Sequence, residues 1–325
     1  MEKTMKSAAV RKPRSLWERL SPYTVILIVL LLAIYTAIVS PQFLTTENGL
    51  NLLRQLGGLS IVSIGMTYVI ISGYFDLSVV GIFSLASVVA CNLASTRGEA
   101  VAVLAGLAIG VVCGALEGLI LVLVGARNGA DSTFVTYGMG TAYGALALMY
   151  TGGSSMRLSG GTSVLDFLGW GKFLGLPVSF YVFLVAMLFA NVFLMRSKTG
   201  TEIRMMGGNR EACRLSGVSN LKNTLVVFMM LGFMTALGGI VNFARSTQAA
   251  PACGTGYDAN TILAVVIGGT RLCGGVGSVL RTTIGVVLVV LLSNTLNLIG
   301  FSTYMCEMIK GAFLVLAIWL DYRRK

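Results

Sequence analysis

Long apolar stretches, repeated through almost the whole chain, are the feature that most constrains its fold. About ten of them approach twenty residues, the length that an α-helix needs to cross a bilayer. They lie near residues 23–40, 56–73, 78–96, 100–125, 132–151, 177–196, 222–245, 259–271, 278–299 and 302–321. Only 11% of the residues are charged, against roughly one quarter in soluble domains. The sequence therefore predicts an all-α polytopic membrane protein with about ten transmembrane helices.

The position of the basic residues predicts the topology. The formal net charge is +11, and basic residues gather at Lys3–Arg19, in a central polar loop and at Arg323–Lys325. Cytoplasmic loops of membrane proteins carry this excess of Lys and Arg, and such ends also attract anionic lipid. We therefore expect cytoplasmic tails at 1–22 and 322–325, one transmembrane domain at 23–321, and contact with membrane lipid but not with nucleic acid.

The composition argues against chemistry carried out by this chain. It has no histidine, and its six cysteines are scattered singly, so that neither a metal cluster nor a nucleophile with its base is expected. A membrane-embedded enzyme is therefore disfavoured. The GxxxxGK[ST] pattern of a phosphate-binding loop is also absent from the sequence. We predict no catalytic residue, no metal and no cofactor in this chain.

The central polar loop spans 197–222 and reads SKTGTEIRMMGGNREACRLSGVSNLK. Asn209 is a suitable N-cap, and Glu211 falls in the first turn, where a helix dipole favours an acidic side chain. Gly217 is placed to end the helix. The pattern predicts a short helix from Asn209 to Leu215. Such a helix suits the docking of a soluble partner, while a basic loop that only sets topology explains the same charges.

Three blocks resemble one known family. GGNREACRLSGVSN at 207–220, the long block at 254–300 and ISGYFDLSVV at 71–80 are similar to permease subunits of bacterial ABC importers of the ribose type. In that family the central loop contacts the ATPase subunit. The resemblance assigns this contact to Gly207, Gly208, Asn209, Arg210, Glu211, Ala212, Arg214, Leu215, Ser216 and Gly217.

The same resemblance implies the function and the partners. It implies a permease subunit in the bacterial inner (plasma) membrane that works by alternating access on a monosaccharide or a related polyol. ABC ATPase subunits would hold ATP and Mg²⁺, a second copy or a sister permease would complete the path, and a solute-binding protein would deliver the solute. Phe75, Val80 and Arg271 depart from the ribose-type pattern, so the resemblance does not specify ribose.

Polar side chains among the apolar spans are the candidates for the translocation path. They are Asp76, Ser78, Glu117, Thr133, Thr136, Tyr137, Asn260 and Asn294. An acid inside a membrane is costly and is a functional candidate for that reason. Other roles fit as well, because Asp76 or Ser78 suits a helix cap and Thr residues often hydrogen-bond between membrane helices. Glu117 lies beside glycines spaced by four at 106, 110, 114 and 118, a spacing typical of close helix packing.

The apolar stretch at 259–271 is too short to cross a membrane comfortably, and it ends at Gly268-Gly269. We expect a broken or re-entrant segment near 259–275, which is tolerated where protein or a water-filled cavity covers the backbone. Together with Asp76 and Glu117, this break also fits an ion-coupled secondary transporter. The short helix in the central loop favours the ATP-driven importer, since a secondary carrier does not need it.

Overall fold

A computed structural model describes residues 24–158 and 163–323. The predicted tail at 1–22 and part of the tail at 322–325 lie outside the described residues. The helices are α1 (Thr24–Val39), α2 (Thr46–Ile71), α3 (Val79–Thr96), α4 (Glu99–Val124), α5 (Gly129–Thr151), α6 (Ser163–Trp170), α7 (Val178–Arg196), α8 (Lys198–Gly208), α9 (Arg210–Leu215), α10 (Asn220–Ser246), α11 (Tyr257–Ile267), α12 (Val279–Leu298) and α13 (Thr303–Arg323).

Short strands and one 3-10 turn complete the described elements. They are Pro41–Leu44, β1 (Met156–Arg157), β2 (Lys172–Phe173), β3 (Leu176–Pro177) and β4 (Gln248–Ala249). β1 pairs with β4 and β2 with β3, both antiparallel. The predicted all-α class is therefore confirmed, and the strands only tie connecting segments together.

A helix lies at each of the ten predicted spans, but they are not equivalent. Six helices are long and apolar enough to cross a membrane, namely α2, α3, α4, α7, α10 and α12. α1 and α11 are apolar but shorter. α5 and α13 have 23 and 21 residues and are interrupted by polar side chains. The polytopic character is confirmed. Of the ten predicted spans, six among the described residues have the length and apolarity of a membrane-crossing helix.

The start of α2 differs from the prediction. The sequence predicted an apolar span only from about residue 56, but the helix begins at Thr46. Thr45 caps it, because its hydroxyl accepts a hydrogen bond from the N–H of Asn48. The polar side chains in the first turns of α2 interrupt the apolar pattern, and they contact other parts of the protein. Asn48 pairs with Asn294, and the Arg54 guanidinium lies over the Trp170 ring.

The interior of the molecule is built on α2 and α10. The second half of α2 is buried on every face, and fifteen residues of the 27-residue α10 are buried. The predicted glycine seam of α4 faces α10: a side chain at Gly110 or Gly114 would overlap the carbonyl oxygen of Gly232 or Phe228. Glycine at these positions lets the two backbones touch, as the spacing predicted.

Candidate functional site

α9 is the short helix that the central loop predicted. The Asn209 side chain accepts a hydrogen bond from the N–H of Ala212 at 3.0 Å, and Gly217 has a positive φ of 76° just beyond the helix end. On the outer face, Arg214 bonds to Glu211 at 2.6 Å, which lowers the pKa of the Glu211 carboxyl. Leu215 is 76% exposed. α9 thus presents one apolar and two charged side chains to solvent.

Arg210 points the other way, into the protein. Its guanidinium donates to the carbonyl of Ala126 at 3.0 Å and to that of Ser72 at 3.2 Å. It also lies over the Tyr74 ring, 3.9 Å from the centroid. Although Arg210 and Arg214 are four residues apart, a spacing that places them on one side of a helix, their guanidinium groups have different partners. Arg210 therefore connects α9 with the ends of α2 and α4.

The region before α9 is helical, which the sequence did not predict. α8 begins after Ser197, whose side chain accepts a hydrogen bond from the N–H of Gly200. At its end, a side chain on Gly207 would overlap the carbonyl oxygen of Ile71. Gly275 donates its N–H to that same carbonyl at 2.8 Å. Gly208, by contrast, faces open space.

The segment between α2 and α3 is extended, and Asp76 caps the helix that follows. Its Oδ1 accepts from the N–H groups of Ser78 and Val79 at 2.8 and 3.1 Å. The Ser78 hydroxyl donates to the same carboxylate at 2.9 Å. Both side chains are fully buried. The capping alternative thus accounts for their contacts, while a role on the translocation path stays a prediction.

Hydroxyl groups of α5 hold this extended segment. The N–H of Phe75 donates to the Ser132 hydroxyl at 2.8 Å, and the N–H of Leu77 donates to the Thr136 hydroxyl at 3.1 Å. The Thr136 hydroxyl therefore accepts a hydrogen bond from the backbone of a neighbouring segment. This is the structural role that the sequence left open beside a role on the path. Thr133 bonds within its own helix, and Tyr137 is 64% exposed.

Glu117 is a fully buried acid on α4. The Ser78 hydroxyl and the Asp76 carboxylate lie close to it, but that hydroxyl donates to Asp76. Among the described residues neither carboxyl oxygen of Glu117 has a hydrogen-bond partner. The structure therefore brings three of the predicted path residues, Asp76, Ser78 and Glu117, into one buried cluster.

α11 fits the expected broken segment. It has 11 residues, about 16 Å at the rise of an α-helix and half the thickness of a hydrocarbon core. Its start lies against the start of α3: the Tyr257 and Phe83 rings are 4.2 Å apart, and a side chain on Gly254 would overlap the carbonyl oxygen of Val80. The start of the short helix α11 therefore meets the start of α3 inside the protein.

The two predicted asparagines have different surroundings. Asn294 exchanges hydrogen bonds with Asn48, the shorter at 2.7 Å, and so joins α12 to α2. Asn260 lines a cavity of about 160 Å³ between α2, α7, α10, α11, α12 and α13, and its Oδ1 has no partner among the described residues.

A family model described as "Branched-chain amino acid transport system / permease component" matches residues 48–318. The chain belongs to this family. The ribose import permease protein of Escherichia coli (strain K12) is 35% identical over 305 residues, which cover 93% of this chain and 94% of the relative. That of Bacillus subtilis (strain 168) is 33% identical over 307 residues, 94% of both chains.

A third relative is the L-arabinose transport system permease protein of Escherichia coli (strain K12). It is 28% identical over 313 residues, which cover 95% of this chain and 92% of the relative. No solved structure matches the chain. With its family and its six apolar helices, the chain is a multi-pass membrane protein and a transport component.

The sequence missed the basic residues of the permease that line the cavity. Arg54, Arg245 and Lys310 come from α2, α10 and α13 and converge there. Glu307 lies three residues before Lys310 in the sequence, a spacing at which an ion pair on one helix face is expected. The pair is present, with Nζ and Oε1 2.5 Å apart. A usable signal was present in each case: a basic residue within an otherwise apolar helix, where charge is costly.

Proposed function

We propose that this permease is the transmembrane subunit of an ATP-driven ABC importer for a monosaccharide or a related polyol. Relatives named for ribose and L-arabinose align with nearly its whole length, which supports the sugar class. The observation that carries the importer class is α9, a capped, solvent-facing helix joined to the transmembrane helices through Arg210.

In this proposal an ABC ATPase subunit docks on the exposed face of α9, and ATP with Mg²⁺ is bound there and not by the permease. The central loop and both termini then lie in the cytoplasm, and the protein sits in the inner membrane. A second permease copy completes the path. A solute-binding protein delivers the solute at the opposite end of the helices, where β1–β4 and α6 lie.

Arg210 would transmit the ATPase movement. A displacement of α9 pulls on two carbonyl groups, at Ser72 and Ala126. Ser72 directly precedes the extended segment that Asp76 and the α5 hydroxyls hold. Movement of α9 would therefore reach the start of α3 through the Arg210 hydrogen bond to Ser72 and the few backbone residues between Ser72 and Asp76, a physical connection of the kind that can carry coupling between distant sites.

Co-purification tests the proposal. The wild-type permease is co-expressed with candidate ABC ATPases and compared with an Arg214→Glu, Leu215→Asp variant. Both side chains are exposed, and only the Glu211 ion pair is disturbed, so the fold is retained. The control is Lys198→Glu, a change in charge at a lysine whose side chain is 90% exposed.

We expect wild type and the control to retain an ATPase and the double variant to lose it. If no ATPase binds and solute uptake instead follows a proton or sodium gradient, the importer proposal fails and the secondary-carrier alternative replaces it.

A further inference from the structure

The cavity between α2, α7, α10, α11, α12 and α13 is lined by more basic than acidic side chains. Arg54, Arg245 and Lys310 line it, one cation from each of three helices. Among the described residues that line it there is no Asp or Glu. Glu307 pairs with Lys310, so that two guanidinium groups remain without an ion pair among the described residues. The cavity therefore carries an excess of positive charge.

Polar groups in the wall are left without partners. Ser179 is 2% exposed. Among the described residues its hydroxyl has no hydrogen-bond partner, and neither Arg54 Nε nor Asn260 Oδ1 has one. Buried polar groups without a partner are rare, because each costs about 1–3 kcal/mol. A hydroxyl, a guanidinium N–H and an amide oxygen together can both donate to a ligand and accept from it.

The size of the cavity limits the ligand to a small molecule. Its volume of about 160 Å³ is close to that of an engineered cavity of about 150 Å³ that takes a benzene ring. A five- or six-membered sugar ring is of that order. Aromatic groups are also at hand, because Tyr257 lines the cavity and Trp170 lies against Arg54, 4.8 Å from ring centroid to guanidinium carbon.

We propose that this cavity binds a hydroxylated solute that carries an anionic group, a carboxylate or a phosphate, with the guanidinium groups of Arg54 and Arg245 opposite the anion and Asn260 and Ser179 opposite its hydroxyls. The inference rests on the proposed importer function and refines its substrate class from a neutral sugar to a sugar acid or a sugar phosphate. Guanidinium groups suit this role because they bind carboxylate and phosphate in a bidentate manner.

Titration calorimetry on the full chain in lipid nanodiscs tests this with three probes of one carbon skeleton: D-ribose, D-ribonate and D-ribose 5-phosphate. We expect at least one anion to bind about tenfold more tightly than D-ribose, the effect of one charge-assisted hydrogen bond. Added salt weakens that binding. The preferred anion distinguishes a carboxylate site from a phosphate site.

Arg54→Gln removes one cation from the wall while leaving a polar side chain of similar reach. We expect this variant to lose most of the preference for the anion, and the control Arg97→Gln, at an exposed position outside the cavity, to keep it. The proposal is overturned if D-ribose binds as tightly as both anions, if Arg54→Gln keeps the full preference, or if no probe binds. An ATPase that still co-purifies would then leave the importer proposal intact.

Discussion

At the scale of residues, the polar side chains of the permease divide into those with structural contacts and those without. Asp76 caps α3 through two N–H groups, and Thr136 satisfies the backbone of the extended segment. Glu117, Ser179 and Asn260 are buried polar groups that retain unpartnered atoms among the described residues. The sequence made both Asp76 and Glu117 path candidates and offered a helix cap as the alternative role of Asp76; the contacts show that Asp76 does cap α3 and that Glu117 has no such partner among the described residues.

The cap at Asp76 leads to a prediction about the free energy of unfolding. Asp76→Ala removes an acceptor shared by two backbone N–H groups and the Ser78 hydroxyl. We expect a loss of about 1–2 kcal/mol, the usual value of a helix cap, measured as a lower Tm in nanodiscs. Asp166→Ala, at an exposed position in α6, is the matched control. An unchanged Tm for Asp76→Ala would show that the cap contributes nothing.

At the scale of elements, local signals predicted the helices that they mark. The cap at Asn209 and the stop at Gly217 located α9 within one residue, because both signals act within a single turn. The helix α8 was missed, since Gly200, Gly207 and Gly208 lower its intrinsic helix propensity and packing against Ile71 and Gly275 is what stabilises its end. That packing joins Gly207 to residues far away in the chain, at positions 71 and 275, which no local pattern contains.

Arg210 and Arg214 permit a crossed test of α9. Arg210→Gln removes the inward contacts with Ser72 and Ala126 but leaves the exposed face intact. We expect it to keep a bound ATPase while lowering solute uptake about tenfold or more, because each lost hydrogen bond to a charged group is worth about 1.5–3 kcal/mol. Arg214→Glu should instead weaken ATPase binding itself. Equal loss of ATPase binding in both variants would contradict a transmitting role for Arg210.

The seam between α4 and α10 allows a matched comparison of two glycines. Gly114→Ala places a methyl group against the Phe228 carbonyl, whereas Gly144→Ala on α5 meets nothing within 4 Å. We expect Gly114→Ala to cost about 1–3 kcal/mol by overpacking. Gly144→Ala should be neutral or stabilising by up to about 1 kcal/mol, because alanine is the better helix former. Thermal unfolding of the two variants decides, and equal Tm values would exclude a tight seam.

At the scale of the whole molecule, hydrophobicity predicted an all-α polytopic membrane protein but not how its helices pack against one another. Apolar stretches are a sufficient signal for helices in a membrane, and each predicted stretch does contain a helix. Composition could not reveal that α3 and α11 begin against each other, because that contact joins Val80 to Gly254. Nor could it reveal the cavity, whose cations come from three helices far apart in the chain.

The proposed orientation can be measured with one thiol. Cys273 is exposed, whereas four of the other five cysteines are buried and Cys253 is half-buried. Its neighbour Gly275 contacts Ile71 beside the end of α8, so Cys273 lies on the same side as the central loop. We expect a membrane-impermeant maleimide to label it in inside-out vesicles and not in right-side-out ones, with Cys273→Ser as the control. Labelling from outside would reverse the topology.

The junction of Gly73, Gly207 and Gly274 has one more consequence. Here three chain segments touch through backbone atoms alone: a side chain at Gly274 would come within 2.8 Å of both the Gly207 carbonyl oxygen and the Gly73 Cα. Because all three residues are glycines, no side chain can change its rotamer to relieve such a contact. We therefore expect this junction to resist local rearrangement, so that a displacement of α8 would shift the C-terminal end of α2 with it.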